Sequence, residues 1–300
     1  MSGTPRVSII VPSRTGQVDG LRTQLTRQSL RDWELIIQAG TAPAGRARNL
    51  GARRTAGRLL IFLDDDVVLG QMDLLERLSA ALEARGPWAA MGAVWRVPPG
   101  ANAFQQRYVR EAFPPELPPA DGREAVEVPW RTIGTACIAI PRATFQALDG
   151  FDDTLLSGED YEFCYRLHRR GGRVYALTDA WVYHEPPRTL GEAARKTLWY
   201  ERGNAQVARK HPAAGYRMPL RGPLHTVGYL ALRTLALPLL CVVKVSYHHR
   251  RPQVAWRPGS ALLSYLGAWA YCVGWHFPPR MAAQRPPQPS GALDPRPSVS

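Results

Sequence analysis

Lysine is almost missing from this sequence: only three of its 38 basic residues, Lys196, Lys210 and Lys244, are lysines. The net charge is nevertheless +13. An arginine bias alongside abundant Ala, Pro and Gly fits a GC-rich genome, and no recognition-helix motif or aromatic-basic platform accompanies it, so nucleic acid is not the expected partner. A basic surface still favours anionic partners such as nucleotides, lipid phosphates or an anionic membrane leaflet. Cysteine is scarce too. Cys137, Cys164, Cys241 and Cys272 lie far apart with no C-x-x-C pair, and read as isolated thiols in a reducing compartment. No basic segment followed by a long apolar core stands at the N-terminus, so no signal peptide is visible and the main domain is expected in the cytoplasm.

Long apolar runs are also lacking. Residues 227–245 are interrupted by Arg233 and Pro238, and residues 261–277 make only 17 positions, whereas a full span needs about 20 predominantly apolar residues. With His248, His249, Arg250 and Arg251 between them and Trp256, Trp269, Tyr271 and Trp275 nearby, two readings stand. The segments lie on an anionic membrane surface, peripheral at the inner face of the cell membrane, or they cap the main domain as helices.

What is present centres on residues 59–68, L-L-I-F-L-D-D-D-V-V. Five successive apolar residues predict a strand buried on both faces, as in a parallel sheet covered by helices. The run stops at Asp64, Asp65 and Asp66. Three neighbouring carboxylates at the end of a buried strand repel one another unless a counter-ion intervenes. Mg²⁺ or Mn²⁺, which take oxygen ligands and share them with phosphates, would remedy this, and the carboxyl end of a parallel strand is where open α/β sheets bind ligands. A solvated acidic turn is the plainer alternative.

The 45% hydrophobic content predicts one large domain with an appendage. Residues 7–11 read as a first strand closed by Pro12, with Ser13, Arg14 and Thr15 at its ligand-facing end. A helix about Leu21, Leu25 and Leu30, a strand over 33–37 and a basic helix over 45–56 complete a βαβ-type start. A helix over 72–85 and a strand over 89–97 follow. Residues 98–129 lose periodicity among many prolines, and Phe104, Tyr108, Phe113 and Trp130 suggest either an acceptor-facing flap or plain surface irregularity. A strand over 134–140, a helix begun by Pro141, a turn at 149–152, a helix over 161–170 and two short strands over 173–176 and 181–183 bring the chain to His184. A basic, aromatic helix is expected over 190–211, and residues 278–300 read as a Pro-rich disordered tail.

The order V-S-I-I-V-P, A-R-N-L-G, F-L-D-D-D, G-T-A-C-I-A-I-P-R with G-F-D-D, G-E-D-Y-E-F-C-Y-R-L and a later His resembles glycosyltransferase family 2, over about residues 6–211. The resemblance implies a GT-A, nucleotide-diphospho-sugar transferase fold: an α/β domain with a mostly parallel twisted sheet flanked by helices. The expected domains are 1–211, catalytic; 212–277, a helical appendage; and 278–300, the tail. It further implies an inverting, metal-dependent transfer from a nucleotide-diphospho-sugar to a glycan or lipid-linked acceptor. By match to the family pattern, Asp64 and Asp66 occupy the D-x-D positions and His184 completes a Mn²⁺ or Mg²⁺ site. Asp160 matches the base that deprotonates the acceptor hydroxyl, with Glu159 the alternative. Donor contacts are expected from Pro12, Arg14, Gln38, Arg46, Asp64 and Asp65. Inversion needs a single base in line with the departing diphosphate and no covalent nucleophile.

One departure concerns the base. Where the family usually carries an acidic pair followed by Gly-Ser, this chain reads Gln38-Ala39-Gly40-Thr41, so Gln38 could hydrogen-bond a base edge but uridine specificity does not carry over. A nucleotidyltransferase would want a Gly-rich, lysine-bearing loop after the first strand, and P-S-R-T-G-Q has no lysine. A non-catalytic sugar-binding module would not need both D-D-D and E-D.

Overall fold

The structure, a computed structural model, describes residues 3–112, 125–214, 218–242 and 258–278. In chain order its elements are β1 (Val7–Ser13), α1 (Asp19–Leu25), β2 (Trp33–Ala39), α2 (Ala44–Arg53), β3 (Leu59–Leu63), β4 (Val68–Leu69), α3 (Leu74–Glu83), β5 (Ala89–Arg96) and α4 (Ala103–Ala112). Then follow β6 (Val126–Val128), β7 (Cys137–Pro141), α5 (Arg142–Ala147), α6 (Glu159–Arg169), β8 (Arg173–Tyr183), α7 (Leu190–Lys210), α8 (Pro223–Val242) and α9 (Pro258–His276).

The sheet runs β2-β1-β3-β7-β5-β8-β4, with β6 added to β8. Its longest ladders, β1–β2 and β5–β8, are parallel, as is β1–β3. The shorter ones, made by β7 to β3 and β5 and by β4 and β6 to β8, are antiparallel. Helices cover both faces. Along β3, Leu59, Ile61 and Leu63 join Ile9 and Val11 against α1 and α3, while Leu60 and Phe62 turn with Ile10 towards α5 and α6. This alternation is the period-two rule acting on a strand that is apolar at every position. Phe62 anchors the second layer: its ring lies 4.9 Å from Phe151 and 5.1 Å from Phe145, and Phe163 packs on both of those.

Several expectations are corrected. β1 does not close at Pro12 but runs through it to Ser13, because the β1–β2 ladder continues to Ser13↔Ala39 while the β1–β3 ladder stops at Ile10↔Phe62. A proline inside one strand is tolerated where no neighbour needs its missing N–H. Residues 173–183 form one strand, not two; an irregularity opposite Ala93 and Val94 absorbs the offset that reads as a break in the sequence. Residues 98–129 are not wholly irregular, since α4 carries Phe104 and Tyr108, whose rings stack 6.2 Å apart, and β6 lies beyond. Pro141 ends β7 and caps α5 instead of starting it. Phe113, the basic run at 248–251, Trp256 and the tail from 279 lie outside the described residues.

α7 borders the sheet domain, and α9 packs along it around Ala205, Ala208, Tyr271 and Cys272. Gly274 comes so close to Arg202 that a Cβ there would stand 2.6 Å from the Arg202 Cα. No helix among the described residues is long and apolar enough to cross a membrane.

Candidate active site

Two neighbouring strand pairings assemble the acidic edge. Leu63↔Cys137 brings the segment before β7, with Gly134 and Thr135, beside the end of β3. Val68↔Tyr183 brings the end of β8 beside the turn that follows the aspartates. His184 therefore arrives next to Asp66, with Nε2 to Oδ1 3.5 Å, while its backbone N–H donates to the Arg96 carbonyl at 3.1 Å. Asp64, Asp66 and His184 each offer a ligand atom within 4.8 Å of the others. Partial burial, then repulsion from Asp64 and Asp65, raises the Asp66 carboxyl above its ordinary range against the pull of His184. Two carboxylates and an imidazole form a donor set suited to Mn²⁺ or Mg²⁺, and the mutual repulsion is what a divalent cation would relieve. The residues fit the ion.

The second half of the site is buried. α6 is entered through Gly158, whose φ of +81° is the left-handed conformation that glycine adopts without strain. This sharp entry puts Glu159 and Asp160 in the first turn. Glu159, 6% exposed, is paired with Arg48 of α2. The other arm of Arg48 reaches Asp64 at 2.5 Å, so one guanidinium joins the acidic turn to the start of α6. Burial works against the Arg48 charge, but Asp64 and Glu159 outweigh it and hold its pKa above the usual value. For Glu159, burial wins: it pushes the carboxyl up to about 7 against Arg48, and the charge of Asp160 adds to the rise. The two results pull in opposite directions because one cation is shared among several carboxylates. The most enclosed of them is left under-compensated.

Asp160 differs from its neighbour. It is half-buried, accepts from the Thr135 N–H at 3.1 Å and from the Tyr161 N–H at 2.8 Å, and is raised by burial against those hydrogen bonds. Gly134 makes room for it, since a Cβ there would lie 2.8 Å from the Asp160 Oδ2. Asp160 is thus held by backbone N–H groups, while Glu159 is ion-paired with Arg48.

Arg48 was not among the expected site residues; Arg46, two positions earlier, was, and it is half-exposed on the first turn of α2. The signal was present in the spacing. Gly45, Arg48, Asn49 and Ala52 form one buried face of α2, and an arginine on a face of small residues is the buried one. Asn49 locks this face, exchanging hydrogen bonds with the Phe151 backbone at 2.7 and 2.9 Å. α7 adds two residues that the sequence had suggested only as a group. The charge of Lys196 acts on Asp66, and the Tyr200 phenol is raised by burial and then by Asp64 and Asp160.

The remaining expected donor contacts share the same sheet edge. Pro12 stands opposite Gln38 in register at the carboxyl ends of β1 and β2. The Gln38 amide is engaged locally, donating to Thr41 Oγ1 at 3.2 Å and accepting from Arg54 at 3.3 Å. Arg14 and Asp65 are exposed. Neither thiol near the site is a nucleophile: Cys137 and Cys164 are buried, and burial pushes Cys137 up to about 12.

Against known proteins, the family model described as "Glycosyltransferase like family 2" matches residues 5–200. The chain belongs to that family. It carries a family 2 glycosyltransferase domain, and the match spans the whole sheet and most of α7. Among curated relatives, it is 25% identical over 265 residues to validoxylamine A glucosyltransferase of Streptomyces hygroscopicus subsp. jinggangensis, covering 71% of this chain and 62% of that protein. It is 28% identical over 189 residues to the protein of the same name from subsp. limoneus, covering 56% and 41%. The chain therefore spans less than two thirds of either relative's length. A mannosyltransferase of Pyrobaculum calidifontis, solved with GDP-Man and Mn²⁺, superposes with a TM-score of 0.56 over 92% of this chain and 88% of that one at 15% identity. This likeness establishes the shared fold.

Proposed function

We propose that this family 2 glycosyltransferase moves a sugar, with inversion, from a nucleotide-diphospho-sugar to a hydroxyl of a glycan or lipid-linked acceptor. The observation that carries the reading is the Arg48 bridge, which joins an Asp64–Asp66–His184 cluster to the start of α6, where Asp160 has no Arg or Lys ion-pair partner among the described residues. The glucosyltransferase relatives and the mannosyltransferase solved with GDP-Man and Mn²⁺ support the donor class.

Asp64, Asp66 and His184 would hold a divalent cation, which, when bound, supplies charge stabilisation for a departing diphosphate. Asp160 accepts the proton of the acceptor hydroxyl as that oxygen attacks the anomeric carbon. Its hydrogen bonds from Thr135 and Tyr161 hold one carboxylate orientation. Glu159 does not touch the reacting atoms; it positions Arg48, and Arg48 positions Asp64. Lys196 and Arg14 offer positive charge to the diphosphate, Asp65 is a further exposed donor contact, and Gln38 lies opposite Pro12 where the nucleobase would rest.

The test is incubation of the purified chain with Mn²⁺ and a panel of nucleotide sugars, scored for nucleoside diphosphate release and for the anomeric configuration of any product. Chelator-sensitive release from one donor, with the product anomer opposite to that donor's, is expected. Release of pyrophosphate from a nucleoside triphosphate and a sugar phosphate would point to a nucleotidyltransferase instead.

A further inference from the structure

The outward side of α8 is a continuous apolar stripe. Leu224, Val227, Leu232, Leu235 and Leu239 recur at helical spacing and are all exposed, Leu224 to 90% and Leu235 to 80%. Positions 228, 231 and 238 between them are uncharged and exposed as well. The stripe covers roughly 22 Å of helix. The other side of α8 is taken: Arg233 donates to Ser264 at 3.1 Å and Thr234 bonds Tyr265 at 3.0 Å, both on α9. Trp269 of α9 and Phe277, just past its end, are exposed aromatic rings as well. Solvent-facing apolar surface of this extent marks a surface that something covers.

The charge pattern identifies what. From residue 202 to residue 293 the sequence holds twelve Arg and Lys and not one Asp or Glu. We propose that the α8 stripe lies in the plane of an anionic lipid surface, apolar side inserted, with the surrounding arginines on the headgroup phosphates. A helix of this kind binds through buried apolar area together with attraction to anionic lipids, and aromatic rings settle at the same boundary. A second copy of the chain is the weaker fit, because pairing two such faces would bring two acid-free, basic regions together. Residues 279–300 are Pro-rich and without apolar periodicity, so their sequence carries no matching apolar stripe. The inference is independent of the sugar chemistry, since it rests on α8, α9 and the charge pattern alone.

The test uses the full chain and phosphatidylcholine vesicles with and without phosphatidylglycerol, read by co-sedimentation, for the parent and for Leu232→Gln/Leu235→Gln. Both leucines are exposed, and an unchanged thermal unfolding curve confirms that the variant is folded. The expected result is binding that requires phosphatidylglycerol and is weakened roughly ten- to hundredfold in the variant. Equal binding by parent and variant would overturn the proposal and leave charge alone as the cause. Absence of vesicle binding, with a concentration-dependent dimer in sedimentation velocity that the variant abolishes, would overturn it in favour of a second copy.

Discussion

The two acidic halves of the site are built from the same residue types and behave differently. Asp66 is more than half exposed, has no Arg or Lys ion-pair partner among the described residues and faces His184. Glu159 is buried and bound to a guanidinium. The first half is a set of repelling charges open to solvent, and the second is a closed network in which one guanidinium is shared by two carboxylates. Environment, not residue type, separates the two halves, and Asp160 stands between them with each of its oxygens accepting from a backbone N–H. Paired carboxylates whose surroundings push them apart are a recurring way of assigning different roles to similar groups.

The largest effect should come from Asp160→Asn, which keeps size and removes the basic oxygen. Turnover should fall by ~10²–10⁴-fold with nucleoside diphosphate affinity nearly unchanged, measured by steady-state kinetics beside calorimetry. Near-normal turnover in that variant would move the base elsewhere. Next comes Arg48→Met, which leaves Glu159 buried without its cation. Breaking a buried pair from one side costs about 3–5 kcal/mol, so urea unfolding should show a loss in that range, largely recovered in Arg48→Met/Glu159→Gln. If the double variant were no more stable than the single one, the bridge would not be what couples the halves.

On the open side, His184→Ala should weaken Mn²⁺-dependent nucleoside diphosphate binding by roughly ten- to hundredfold, by analogy with losses seen around metal ligands, and leave unfolding unaffected. The smallest effect is in the pH dependence of stability. The Glu159 carboxyl rises from its ordinary 4.5 to about 7 on folding, so the folded chain binds that proton more tightly. The corresponding stabilisation is full below about pH 4.5 and is lost as pH rises through about 7. Unfolding free energy should therefore decline from pH 5 to pH 7 more steeply in the parent than in Glu159→Gln. Parallel profiles would mean that Arg48 keeps Glu159 ionised throughout.

Much of this contrast was legible before the structure. A strand apolar at all five positions and stopped by three aspartates announced the sheet and marked the edge proposed as the site, because burial and charge change at one residue. His184 was legible as a candidate only through the match to the family pattern, since a histidine at a strand end is by itself ordinary. Arg48 was not chosen, because in a run of four arginines only the angular position on α2 separates the buried one from the exposed ones. The unity of β8 and the helix α4 were hidden for a different reason. An irregularity in one ladder and a proline-rich context both interrupt local periodicity while tertiary pairing persists. The turn after β2 shows a third limit: Gln38 was readable as a hydrogen-bonding residue, but not as one already engaged by Thr41 and Arg54.

Pro12 is usually the kind of residue that stops a strand, yet here it acts as a wedge. β1 leaves β3 after Ile10 and stays with β2 as far as Ser13, and the residue at the parting has no N–H with which to rejoin. The seam between β1 and β3 is therefore permanent, opening towards the acidic edge at the point where ligands enter open α/β sheets. A guest admitted there would break none of the β1–β3 ladder bonds, which end at Ile10 and Phe62.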